Sequence, residues 1–171
     1  MSVALSNIED CIPALRRYAC ALLNSPQDAD DLVHDTLVRA LDKLHTRRKD
    51  AEVRHWLFAI MHNLFVSQTR KSRVRFWTGR LDQVDEAALA AQAGQEHSLH
   101  WADLVGALKC LSPEQRIVVL LVSVEDMSYA DVSRVLGVPL GTVMSRLSRG
   151  RERLRQLTKE AETRPCLRRV K

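Results

Sequence analysis

Five arginines stand between positions 146 and 155 (Arg146, Arg149, Arg151, Arg153 and Arg155) against the single acid Glu152. Thr142 and Ser145 come just before them. A guanidinium fork grips phosphates or pairs with guanine edges, and hydroxyls serve either target. On a helix, Thr142, Ser145, Arg146, Arg149 and Arg153 fall on one side and Val143, Leu147, Gly150 and Leu154 on the other. That separation suits a helix that reads nucleic acid. The plainer alternative is a solvated arginine-rich helix in a bundle, and so one-sided a charge makes it the weaker one. The whole chain has a net charge of +5, which fits a polyanionic partner.

Charge is unevenly spread elsewhere too. Arg70, Lys71, Arg73, Arg75 and Arg80 form a basic block with no acid among them. Over 81–100 the sign reverses, with Asp82, Asp85, Glu86 and Glu96 and no Lys or Arg. Asp28, Asp30, Asp31 and Asp35 make an acidic cluster nearer the start. The chemistry of an enzyme is missing: no phosphate-cradling glycine loop and no nucleophile elbow occur. His55 and His62 lie seven residues apart on one expected helix, about 10.5 Å along its axis, too far to share a metal. His97 and His100 have no acid or Cys at a spacing that completes a site. Cys11, Cys20, Cys110 and Cys166 form no CxxC pair and read as reduced structural thiols. A non-enzyme without metal or cofactor is expected. The first residues lack a basic start and an apolar core, and the longest apolar run, 117–122, is far short of the ~20 residues of a membrane helix. A cytoplasmic protein with no membrane insertion is expected.

The elements that must carry these residues read as helices. Only 6 Gly and 5 Pro interrupt 171 residues, and aromatics make up 5%, a composition that disfavours sheets. Ser25 before Pro26 caps a helix with Leu32, Val33, Leu37, Ala40, Leu41 and Leu44 at helical spacing, and its acidic first turns suit the helix dipole. A second helix is expected over about 53–69, with Leu57, Ile60, Met61 and Leu64 as its apolar stripe. Ser112, Pro113 and Gln115 form a capping-box start, which decides for helix over strand in the apolar run that follows. Ser128 caps a short helix bearing Val132, Val135 and Leu136, and Gly137 supplies its left-handed end. Val138-Pro139-Leu140-Gly141-Thr142 then turns into the arginine helix. Two short helices joined this way are a helix-turn-helix. The expected fold class is all-α: two small helical domains joined by a flexible linker, the second containing the helix-turn-helix.

Three groups of residues carry a family resemblance. Leu111-Ser112-Pro113-Glu114-Gln115-Arg116, with Gly137-Val138-Pro139-Leu140-Gly141-Thr142-Val143 and Ser145-Arg146-Leu147, resembles the promoter-reading domain of extracytoplasmic-function sigma factors, in the sigma-70 family. Asp28-Ala29-Asp30-Asp31-Leu32-Val33-His34-Asp35-Thr36 is similar to the helix these factors dock on the clamp helices of RNA polymerase. Trp56-Leu57-Phe58-Ala59-Ile60-Met61-His62-Asn63-Leu64 is similar to the helix that melts the minus-ten element.

The resemblance implies sigma domain 2 over 1–75, a linker over 76–100, sigma domain 4 over 101–160 and a basic tail over 161–171. It implies core binding by Asp30, Asp31 and Asp35. Minus-ten contacts fall to Trp56, His62, Asn63, Arg70, Lys71 and Arg73, and minus-thirty-five contacts to Thr142, Ser145, Arg146, Arg149 and Arg153. An amide such as that of Asn63 can pair with an unstacked base. For Trp56 core packing is the competing role. The implied partners are core polymerase (clamp helices and flap), promoter DNA and an anti-sigma factor. Three departures stand out. Met144 occupies a position that is often basic, so a phosphate contact is absent or an apolar contact with a thymine methyl replaces it. His62 stands before Asn63 where the family often has Arg, and Ser67 stands where an Asp is common. The rival functions are a helix-turn-helix regulator that does not bind core and a sigma-like decoy for an anti-sigma protein. Against the first stands the whole N-terminal half, which has no pocket signature of a sensor; against the second stand the two basic surfaces.

Overall fold

The structure, a computed structural model, describes residues 7–23, 25–46, 52–77 and 106–162, with side chains described as far as Arg70 in the third helix and Leu157 in the last. The linker expected over 76–100 therefore falls almost wholly outside the described residues, as does the tail. Among the described residues six main helices follow one another: α1 (Ile12–Leu22), α2 (Pro26–Lys43), α3 (Val53–Trp77), α4 (Pro113–Ser123), α5 (Tyr129–Leu136) and α6 (Leu140–Glu162). A 3₁₀ turn, Leu44–Thr46, ends α2. No strand occurs among the described residues.

Local chemistry sets the helix starts. The Ser25 side chain accepts from the Asp28 amide, with Pro26 in the first turn. Ser112 and Gln115 exchange both bonds of a capping box. Ser128 accepts from the Asp131 amide. Gly137 closes α5 at φ 64°, in the left-handed region that a side chain resists.

The first unit packs α1, α2 and α3 around Leu15, Tyr18, Leu32, Leu57, Phe58 and Met61. The Tyr18 and Phe58 rings meet edge to face at 5.2 Å. Burying each large apolar side chain contributes about 1.5–3 kcal/mol. The second unit packs α4 against α5 and α6 through Val118, Leu120, Leu121, Val132, Val143 and Leu147. Gly150 is buried where α6 crosses α4; a Cβ there would meet Val119 Cγ2 at 2.8 Å. The glycine thus sets how closely the two helices approach.

Two expectations shift. The helix expected to end near residue 69 runs on to Trp77. Arg and Lys are good helix formers, and no Gly or Pro intervenes before Gly79, so the basic block continues the helix. Leu41, expected in an apolar stripe, is 51% exposed, while Leu37 and Leu44 are half-buried. Ala29, Leu32, Val33, Thr36 and Ala40 make the inward face of α2, and Leu41 follows Ala40 round to the outside.

The two units touch where α5 packs on α3 and α4 on α1, and a cluster of polar groups lies in this seam. Glu125, in the loop after α4, has a fully buried side chain. Arg17 of α1 donates to both of its oxygens, Nε to Oε1 at 3.1 Å and Nη2 to Oε2 at 3.0 Å. Arg54 of α3 donates Nη2 to Oε2 at 2.7 Å and its guanidinium lies 5.9 Å from the Phe58 ring centre. Arg116 of α4 donates to the Leu22 carbonyl at the end of α1 (3.1 Å) and to the Leu108 and Lys109 carbonyls of its own unit (both 2.9 Å).

Candidate nucleic-acid interface

The turn between α5 and α6 is fixed from both sides. Ser133 Oγ donates to the Val138 carbonyl at 2.6 Å, and the Val138 amide donates back to the Ser133 carbonyl at 3.2 Å. Pro139 then accepts from the first amides of α6. Asp131, in the first turn of α5, is held below the usual carboxylate range by the Ser128 hydroxyl first, which outweighs the opposing effect of burial, and then by His55 and Arg134. Arg134 also pairs with it directly.

α6 buries Val143, Leu147 and Gly150, as its apolar spacing requires. Arg149 and Arg153 are exposed, while Thr142, Ser145 and Arg146 are half-buried. The Ser145 hydroxyl donates to the Thr142 carbonyl at 3.1 Å. Arg146 turns toward the first unit and lines an open cavity of ≈ 560 Å³ with His62, Phe65 and Arg70 of α3, Glu114 of α4 and Leu136 of α5. Two of the cations assigned to different promoter elements, Arg70 and Arg146, therefore border one cavity.

On α3, Asn63 is exposed. His62 beside it is partly buried, and its Nδ1 has no hydrogen-bond partner. Burial, and secondly Arg146, lower its pKa below 6.5. Trp56 is half-buried and lines an open cleft of ≈ 440 Å³ with His55, Asp131, Arg134 and Val135. It faces α5 in this arrangement. His55 Nδ1 lies 3.5 Å from Asp131 and 3.2 Å from Glu52. Arg70 is exposed; the backbone at Lys71 and Arg73 is helical, and their side chains lie outside the described residues.

The acidic helix face is partly engaged. Asp30 pairs with Arg16 at 2.9 Å, Asp31 is exposed, and Asp35 accepts from Gln68 at 3.4 Å. Val38 (45% exposed) and Leu41 (51%) continue this face beyond Asp35. Sequence reasoning passed over Val38. The signal was available, since Asp31, Asp35 and Val38 stand at the i, i+4, i+7 spacing of one helix face. Among the described residues no cluster of three or more His, Cys, Asp or Glu could hold a metal, and no helix is long and apolar enough to cross a membrane.

One helical unit offers a helix-turn-helix with exposed arginines on its second helix. The other offers an exposed asparagine on a helix that runs into a basic block. Together they define a two-unit helical protein built to read DNA. Residues 8–62 match the family described as the Sigma2 domain of PhyR, and residues 102–154 match Sigma-70, region 4. The chain is 34% identical to the ECF RNA polymerase sigma factor EcfG of Rhodopseudomonas palustris, over 85% of this chain and 80% of that protein. It is 33% identical to SigM of Mycobacterium tuberculosis, over 84% and 70%. Its fold matches the sigma factor RpoE of Bartonella quintana, solved with the anti-sigma factor NepR, at a TM-score of 0.79 and 32% identity over 93% of this chain and 98% of that one. The chain belongs to the extracytoplasmic-function sigma factors of RNA polymerase. Its function is to direct the polymerase to promoters and start transcription; its relatives are sigma factors, which are not enzymes.

Proposed function

We propose that the two units read the two promoter elements and that the seam between them holds the protein in a resting form. The first unit, residues 1–75, docks on the clamp helices of the core through Asp30, Asp31, Asp35 and the adjoining apolar pair Val38 and Leu41. It takes an unstacked minus-ten base at Asn63, with Trp56 and His62 beside it. Arg70, Lys71 and Arg73 hold the displaced strand's phosphates. The second unit, residues 101–160, binds the flap and lays α6 into the minus-thirty-five major groove, where Thr142, Ser145, Arg146, Arg149 and Arg153 meet bases and phosphates. The protein works in the cytoplasm and requires no cofactor.

The observation that carries this reading is the exposure of Asn63 on α3 together with that of Arg149 and Arg153 on α6. Distance adds a requirement. The two elements are about 25 base pairs apart, roughly 85 Å at about 3.4 Å each. Units joined by ion pairs of about 3 Å cannot contact both, so the seam must part when promoter DNA is bound. An anti-sigma factor that favours the joined arrangement would keep the protein from its promoters; the similar sigma factor RpoE was solved in complex with an anti-sigma factor, NepR.

A decoy that only binds an anti-sigma protein has one observation in its favour, the match of 8–62 to the PhyR domain. The exposed arginines of α6 speak for DNA binding instead. The test mixes the purified protein with core polymerase and measures specific transcription from a promoter panel, with core alone as control. Transcripts that need both components support the sigma reading. Anti-sigma binding without core binding supports the decoy, and DNA binding without core binding supports an ordinary regulator.

A further inference from the structure

We propose that Met144 is a specificity-determining residue, reading the 5-methyl group of one thymine in the minus-thirty-five element. The inference rests on the reading of α6 as the groove-entering helix. Met144 is 51% exposed, although it sits one residue after fully buried Val143. Leu140, one turn earlier on the same flank, is 47% exposed. Both lie in the first turns of α6, the part of a recognition helix that reaches base edges. Single exposed apolar residues are ordinary elsewhere on a surface. Here the surroundings make the pair chemically distinct. Gly141 has open space at its Cβ position, so the backbone can come close to a groove floor. Ser145 turns its hydroxyl back to the Thr142 carbonyl. Ser148, one turn later on the same flank, is exposed, and a cleft of ≈ 240 Å³ beside Met144 is bordered by Ser148 and Arg151; Arg149 is exposed further round the helix.

A thioether side chain donates no hydrogen bond and accepts one only weakly. It therefore gains little from the polar edges of guanine, adenine or cytosine. The thymine methyl is the one apolar group among the base edges of the major groove. Methionine is flexible enough to fit against it without a shaped pocket. Exposed and guanidinium-flanked, Met144 is placed to meet that methyl while the arginines hold neighbouring phosphates.

The test removes the methyl and nothing else. Holoenzyme assembled from core and the full chain first selects minus-thirty-five sequences from a randomised promoter pool. Each thymine of the selected element is then replaced singly by deoxyuridine, on either strand, and binding is measured for wild type, Met144→Ala and Arg149→Ala. At one thymine, loss of the methyl should weaken wild-type binding about fourfold, the equivalent of one buried methyl group, and leave Met144→Ala unchanged. Arg149→Ala should weaken binding overall yet keep the methyl effect. Equal methyl effects in wild type and Met144→Ala, or none at any thymine, overturn the proposal while the α6 reading stands, provided Arg149→Ala weakens selection. If the pool yields no minus-thirty-five preference, or Arg149→Ala leaves it untouched, the α6 reading fails and the proposal falls with it. A Met144→Ala defect confined to anti-sigma binding would assign the exposed flank to a protein partner instead.

Discussion

The interior of each unit is apolar, whereas the seam between them combines apolar contacts of α3 with α5 with a cluster of ion pairs. Inside the first unit, Leu15, Leu32, Leu57, Phe58 and Met61 meet with almost no solvent exposure. At the seam, Arg17, Arg54 and Arg116 satisfy a carboxylate and a helix-end carbonyl. Apolar burial has no substitute in water, so the interiors are meant to stay closed. Ion pairs can be exchanged for water or for other charged partners. Arg17 and Arg54 are already 45% and 33% exposed, so they lose less than a buried cation would when the seam parts. Of the three ionic groups Arg17, Arg54 and Glu125, Glu125 alone is fully withdrawn from water. A contact of this kind holds two units together and remains separable.

The largest expected effect attacks an interior. Phe58→Ala removes the ring that Tyr18 packs against and should cost about 3–5 kcal/mol, read from a denaturant titration. A loss below ~1 kcal/mol would mean the first unit's core is not organised around this ring. In the second unit, Gly150→Ala forces its methyl group against Val119 and should cost about 1–3 kcal/mol. A neutral result would show that α4 and α6 can move apart freely.

Glu125→Gln tests the seam itself. It keeps the shape and removes the charge that two arginines share, an effect of about 1.5–3 kcal/mol for hydrogen bonds to a charged group, reduced by the exposure of both arginines. The expected result is a larger radius of gyration in small-angle scattering, with helix content unchanged. An unchanged radius would show that the apolar part of the contact suffices to hold the units together. Loss of helix content instead would make Glu125 a structural group of the second unit.

Much of the fold was legible because it was written in short-range chemistry. Ser25, Ser112, Ser128 and Gly137 announce helix ends by local rules, and each performs the expected cap in the structure. The inward face of α6 followed from the spacing of Val143, Leu147 and Gly150. The seam was not legible. Arg17, Arg54 and Glu125 lie far apart in the chain, and nothing local distinguishes Glu125 from any loop carboxylate. The same gap explains Arg146. Its spacing groups it with Arg149 and Arg153, but only the packing of the two units through α3 and α5 brings it to the cavity that His62 lines. Leu41 misled for a related reason, since periodicity does not say how wide a face its neighbours cover.

The smallest expected effect comes from acid. His62 has its pKa lowered by burial and then by Arg146, which belongs to the other unit. A group whose pKa falls on burial gives its full stabilisation above its ordinary value of 6.5 and loses it as pH drops through the lowered one. Protonated His62 would meet Arg146 and Arg70 across the cavity, with Glu114 as its only acid there. The seam should therefore loosen as pH falls below 6.5. The measurement is the radius of gyration against pH in the wild-type chain and in His62→Gln. Expansion of the wild type on acidification, abolished in His62→Gln, attributes the response to His62. Expansion that survives the substitution would place the response elsewhere in the seam.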